Sequence, residues 1–252
     1  SAAVLRHGAL VWAGAYGLAD VEQGVPVETD TLFLLASISK TVVSVALMQL
    51  EEQGLLSLDD DVGTLVPFDV RHPDYPGEPI TVRMLATHTS SIRDDWNTLD
   101  ANYVDGDSPI ALGDFLSGYL TPGGAYYSPT TNFAPGAPGT GWEYSNIAVT
   151  LAGYVVEAVS GEPFDAYCES HVFAPLKMNE TAWRIGDLDP THVAMPYAYD
   201  GAGYSSYGMY GYPDYPDGLL RTSAPQLARF LSAFAHDGSL DGAKVLEPAT
   251  AQ

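Results

Sequence analysis

The chain has 252 residues, 46% hydrophobic and 17% charged, a globular composition that excludes a disordered or fibrous chain. No apolar run approaches the roughly 18 residues of a membrane span, and 10 basic against 32 acidic side chains leave a net charge of −22. That balance excludes nucleic acid and anionic membrane surfaces as partners, because both need a basic stripe.

In chain order, Ala3–Trp12 predicts two strands around a turn at His7-Gly8, the second running on to Gly17. From Ser37 to Gln53 neither Pro nor Gly interrupts a helix, and Gly54 stops it. Its apolar residues, Ile38, Val42, Val43, Val45, Ala46, Leu47 and Leu50, cover most of the circumference, which predicts a buried helix. The polar Ser37, Ser39 and Lys40 at its start therefore stand out. Leu58–Val62 reads as another helix start, with Asp59, Asp60 and Asp61 at the positive end of the dipole. These acids do not form a calcium loop, because Val70 stands where the closing Glu belongs.

Ile80–His88 predicts a short helix capped by Thr81. A region rich in Asp, Gly and Pro follows to about Pro138, with one helix expected over Pro109–Tyr119. Asn146–Ser160 predicts a helix stopped at Gly161, and Phe164–Val172 a further one with Cys168 on its packed side. Cys168 is the single cysteine, so no intrachain disulfide exists. Gly201–Gly218 carries five tyrosines and is expected to be an ordered loop, an aromatic wall. Ser223–Ala235 closes the helices, with Pro225 in the first turn.

The chemistry concentrates at Ser37-Ile38-Ser39-Lys40. Residues three apart on a helix share a face, so the Lys amine can reach the Ser hydroxyl. An amine in apolar surroundings can accept a proton and so activate that hydroxyl. The helix N-terminus offers N–H groups to an oxyanion. A lone Ser-x-x-Lys is a weak signal; its place at the mouth of an apolar helix strengthens it, since a Lys there is costly unless used or paired. Tyr144-Ser145-Asn146 follows the Pro138–Gly141 loop and opens a helix. Tyr144 could relay a proton if a Lys lies near. Asn146 could hold a substrate carbonyl and Lys40 together, or simply cap the helix. The six histidines show no metal-ligand spacing, and no Gly-x-Ser-x-Gly or phosphate-binding loop occurs. No metal and no cofactor is expected.

Thr31–Thr41, Ile80–Ser91, Gly141–Asn146 and Asp217–Leu231 together resemble, in order, the β-lactamase-like serine hydrolases. That superfamily includes class C β-lactamases, D-alanyl-D-alanine carboxypeptidases and family VIII carboxylesterases, and Ser-x-x-Lys is a penicillin-binding-protein signature. The resemblance implies an α+β fold, an antiparallel sheet flanked by helices with a mostly helical lobe. It implies one catalytic domain over 1–252, with 1–61 and 171–252 on the sheet side and about 62–170 helical. It implies Ser37 as nucleophile, Lys40 and Tyr144 as proton carriers, and Asn146 as the substrate-binding residue. The sequence leaves the compartment open; the resemblance alone favours a secreted or periplasmic one.

The family's third motif, Lys-Thr-Gly or His-x-Gly on a late strand, has no convincing copy. His236-Asp237-Gly238 has the letters but reads as a turn after a helix. The resemblance implies further sheet strands beyond Gln252, or an association that covers the open sheet edge. Ser91 stands where relatives carry Gly. The expected substrate is a small acyl ester; the alternatives are a D-alanyl peptide or a β-lactam, or a non-catalytic homologue of the same fold.

Overall fold

The computed structural model describes residues 1–252. Seven α-helices carry most of its regular structure: α1 Lys40–Glu52, α2 Val82–Ala86, α3 Trp96–Ala101, α4 Leu112–Leu120, α5 Asn146–Ser160, α6 Phe164–Cys168 and α7 Ala224–Ala235. The strands form six two-stranded antiparallel ladders. The longest joins β1 (Ala2–Arg6) to β2 (Ala9–Gly14), with Val4 opposite Trp12. Its turn places His7 and Gly8 at φ of 50° and 75°, the left-handed pair a two-residue hairpin demands. β2 stops at Gly14, short of the expected Gly17, and the chain turns into a separate ladder of Leu18–Asp20 with Val25–Pro26. Helix α7 packs on this hairpin, while Val4, Leu10, Val11 and Trp12 remain exposed on it.

One continuous apolar core runs through the molecule, with α1 packed against α5. Leu47 and Leu50 of α1, Leu151, Val155 and Val156 of α5, and Phe115 and Leu116 of α4 are all buried there. Each such side chain contributes roughly 1.5–3 kcal/mol of burial. Helix α5 follows the expected bounds because both ends are written locally. Ser145 accepts from the Ala148 N–H at 2.9 Å, and Gly161 ends the helix in the left-handed region.

Other expectations need correction. The helix expected from Leu58–Val62 is a single 3-10 turn at Val62–Thr64, because Asp61 caps it and Pro67 prevents continuation. The Pro109–Tyr119 helix starts only at Leu112, after an extended Ala111. Helix α3 lay hidden in the loop-like region; Asp95 starts it by accepting from the Asn97 N–H at 3.3 Å. The Phe164–Val172 helix changes at Glu169 into a π-helical turn over Glu169–Phe173. Ile38, expected inside, is exposed.

Candidate active site

The segment before Ser37 is held from the far end of the chain. Phe33–Leu34 pairs with Arg221–Thr222, and the Leu35 N–H donates to the Leu220 carbonyl at 2.9 Å. Ala36 then turns at φ 47°, an uncommon conformation for a residue with Cβ. The 3-10 turn Ala36–Ser39 follows and runs into α1. In a 3-10 turn, residues three apart eclipse one another. Lys40 Nζ therefore reaches Ser37 Oγ at 3.2 Å and donates also to the Asp217 carbonyl at 2.7 Å. Lys40 is only 9% exposed, whereas Ser37 is open to solvent. Buried Ser39 points elsewhere, and its hydroxyl accepts from the Leu220 N–H at 3.2 Å.

Tyr144 reaches the same hydroxyl as Lys40. Its phenol donates to Ser37 Oγ at 2.8 Å, and Lys40 Nζ lies 5.1 Å from its ring centre. The Tyr144 segment is clamped by His88. The His88 ring lies against the Tyr144 ring, centres 4.4 Å apart. His88 Nδ1 accepts from the Ser145 N–H at 3.2 Å, and the His88 carbonyl accepts from the Glu143 N–H at 2.9 Å. Burial, then the Lys40 charge, hold His88 below the usual imidazole range, which suits a ring nitrogen acting as acceptor. Arg93 closes the same loop with an ion pair to Glu143 at 2.7 Å. Ser91, the residue standing in place of Gly, sits at φ 63°, the left-handed conformation that Gly adopts without strain.

Asn146 lines the cavity beside Ser37 and Lys40 but is not a hydrogen-bond partner of Lys40. The Asp217 carbonyl takes that place, which corrects the expected Asn146–Lys40 contact. The capping alternative for Asn146 fails as well, since Ser145 is the cap. Three donors at the start of α5 converge instead on Asp94. Its Oδ1 accepts from Ser145 Oγ and the Ile147 N–H, both at 3.1 Å, and its Oδ2 from the Asn146 N–H at 3.0 Å. A carboxylate at a helix N-terminus meets both free N–H groups and the positive dipole end.

The cavity has a volume of about 200 Å³. Besides Ser37, Lys40 and Asn146 it is lined by Trp96, Tyr103, Tyr210, Tyr212, Asp214 and Asp217. Two of the segment's five tyrosines, Tyr210 and Tyr212, thus form an aromatic wall, while Tyr215 is buried in the core and Tyr204 and Tyr207 stay exposed. Burial pushes the Asp217 carboxyl up to about 7, with the Lys40 charge opposing. Burial and then Asp217 push Asp214 well above the carboxylate range. A larger hollow of about 400 Å³ between Pro163 and Leu188 shares no residue with this one. His236-Asp237-Gly238 is the expected turn, with Asp237 at φ 51° and Gly238 at φ 81°; it lies at the β1–β2 turn, near Gly8, outside the Ser37 cavity.

His88, Asp94, Asp214 and Asp217 were not singled out from the sequence. His88 and Asp217 stand inside segments that carry the family resemblance, and a positive φ at His88 could not be read from its neighbours.

Comparison with known proteins shows the family and the fold. The family model described as Beta-lactamase matches residues 1–252. Esterase EstB of Burkholderia gladioli is 37% identical over 205 residues, covering 78% of this chain and 49% of the esterase. Penicillin-binding protein 4* of Bacillus subtilis is 29% identical over 203 residues, covering 77% of this chain and 40% of that protein. The chain thus spans about half the length, or less, of these curated relatives. Among solved structures, the octameric penicillin-binding protein homologue from Pyrococcus abyssi superposes with a TM-score of 0.73 at 27% identity, over 97% of this chain and 53% of the other. The fold is that of β-lactamases and penicillin-binding proteins, and the chain belongs to the β-lactamase family.

Proposed function

We propose that this chain carries the nucleophile of a serine hydrolase, a carboxylesterase that forms an acyl-enzyme on Ser37 from small acyl esters. The observation that carries the reading is the convergence on one hydroxyl: Tyr144 Oη at 2.8 Å and Lys40 Nζ at 3.2 Å from Ser37 Oγ, at the edge of a cavity. Both contacts are within proton-transfer reach. Ser37 Oγ attacks the ester carbonyl carbon as its proton passes to the Lys40–Tyr144 pair, which must enter the step one proton short, as a neutral Lys40 amine or a Tyr144 phenolate. The oxyanion meets the Ser37 N–H in the first helical turn, where backbone donors have no intrahelical partner. Collapse breaks the bond to the alcohol oxygen, which takes the proton from the pair. Water then repeats the sequence at the acyl-enzyme and restores Ser37.

Two observations favour an ester. The esterase relative is 37% identical, and the cavity suits a short acyl group. A second reading, cleavage of a D-alanyl peptide or a β-lactam, draws on the 29% identity to a penicillin-binding protein. Those substrates carry a carboxylate, which the cavity wall at Asp214 and Asp217 disfavours.

Hydrolysis of nitrophenyl butanoate tests the proposal, with fluorophosphonate labelling alongside it. Ser37→Ala is expected to lower turnover by at least about a thousandfold and to abolish labelling. Undiminished turnover in that variant refutes the assignment. Acylation by a labelled penicillin, with no ester turnover, favours the second reading. Failure of the unaltered chain to label at Ser37 points to a non-catalytic homologue.

A further inference from the structure

The cavity beside Ser37 has two features that the proton relay leaves unused. The first is Asp214. It is 3% exposed, it lines the cavity, and its Oδ1 is buried without any hydrogen-bond partner. Buried carboxyl oxygens are normally satisfied, so an orphaned one beside a cavity marks a place for a donor. The second feature is a set of ring faces. Tyr103 lies 4.8 Å from Tyr212 and 5.4 Å from Tyr210, centre to centre, and Trp96 stands exposed at the rim. Aromatic faces beside a carboxyl are the surroundings that attract an ammonium.

Charge balance points the same way. Lys40 is the one cationic side chain lining the cavity, and its Nζ is committed to Ser37 and the Asp217 carbonyl. Asp214 and Asp217 face it with two carboxyls. Two carboxyl groups against a single basic side chain leave room for a positive charge. Burial, then the neighbouring Asp217, push the Asp214 carboxyl well above the carboxylate range, with Lys40 opposing, and a bound cation would favour its ionised form.

We propose that this cavity selects acyl groups bearing an ammonium, whose charge sits between the Asp214 carboxyl and the faces of Tyr103 and Tyr212. The inference rests on the reading that Ser37 is acylated, and it narrows the ester class to aminoacyl esters. An uncharged acyl chain fills the same space but leaves Asp214 Oδ1 unpaired, and that difference is the source of selectivity.

The test compares nitrophenyl 3-aminopropanoate with nitrophenyl butanoate, which differ only in an ammonium against a methyl group. The full chain is expected to show a kcat/KM ratio of about tenfold or more in favour of the cation. Asp214→Asn should lower that ratio about tenfold. So should Tyr103→Leu, a change at an exposed ring that leaves the core intact. A ratio near one, or a ratio unmoved by both variants, overturns the inference. Calorimetric titration with n-propylammonium against n-propanol on Ser37→Ala separates the two readings. If Ser37→Ala still hydrolyses the butanoate, the acyl-enzyme reading fails, and ammonium binding then decides the cavity's role by itself. Binding lost in Ser37→Ala/Asp214→Asn upholds the cation site; propylammonium binding no tighter than propanol refutes it.

Discussion

Replacing Asp94 is the sharpest test of how the site is held, because that carboxylate touches neither Ser37 nor Lys40. It accepts three hydrogen bonds, two of them from the free N–H groups that open α5. Asp94→Ala leaves those N–H groups to whatever water reaches a buried helix end, while the Ser145 cap on Ala148 survives. Loss of a helix cap costs about 0.5–2 kcal/mol, and loss of a hydrogen bond to a charged group about 1.5–3 kcal/mol. The three bonds share one carboxylate and do not add, so the expected loss is about 2–3 kcal/mol. For a chain of this size that lowers Tm by about 5–10 °C. Tyr144 precedes the freed residues, so its phenol should wander from Ser37 and kcat should fall about tenfold with KM little changed. Asp94→Asn should rescue little, because its NH2 would meet an N–H where a carboxylate oxygen now accepts. Thermal unfolding and ester hydrolysis measure both effects. A Tm within about 1 °C of the unaltered chain, with kcat unchanged, refutes the reasoning.

Gly218→Ala would place a Cβ 2.5 Å from the Tyr212 hydroxyl, in a backbone conformation that alanine tolerates. The buried ring must shift, and KM for nitrophenyl butanoate should rise about tenfold; an unchanged KM contradicts the cavity's assigned role. Cys168 is fully buried, and burial pushes its thiol far above the ordinary range. Iodoacetamide at about pH 8 should leave it unmodified until the chain is unfolded, and labelling of the folded chain would show that packing to be wrong. Folded Asp217 titrates at about 7, above its ordinary 3.8, chiefly through burial. A raised folded value stabilises the native state at low pH, and that contribution is lost as pH climbs from about 4 to about 7. Urea unfolding of Asp217→Asn across that range should show a weaker decline than the unaltered chain; parallel curves would contradict the assignment.

Much of the fold was readable because its signals are local. Helix α5 carries its cap at Ser145, its apolar spacing and its Gly161 stop within one stretch of chain. The Thr81 cap of α2 and the His7-Gly8 turn are equally self-contained. Where a local signal was ambiguous, packing decided. The acids at 59–61 promised a helix, but Asp61 is shared between capping Gly63 and pairing with Arg71, and only one 3-10 turn forms. Helix α3 sits in a region whose composition reads as loop, and only its Asp95 cap betrays it.

Within the site, Ser37 and Lys40 were legible because three-residue spacing is itself a geometry, and the chain between them closes the contact. Tyr144 lies 107 residues from Ser37, and no spacing rule spans that distance. Its approach depends on Asp94, on the His88 clamp and on the Arg93–Glu143 pair, residue types that recur everywhere on an acidic surface. The residues therefore determined the Ser37–Lys40 contact and most of the helices that carry it. Tertiary structure alone decided which contacts bring the phenol at 144 to Ser37, that Asp217 rather than Asn146 holds Lys40, and that two acids are buried beside Ser37. Contacts between distant segments follow from how whole faces pack, and no single stretch of chain encodes them.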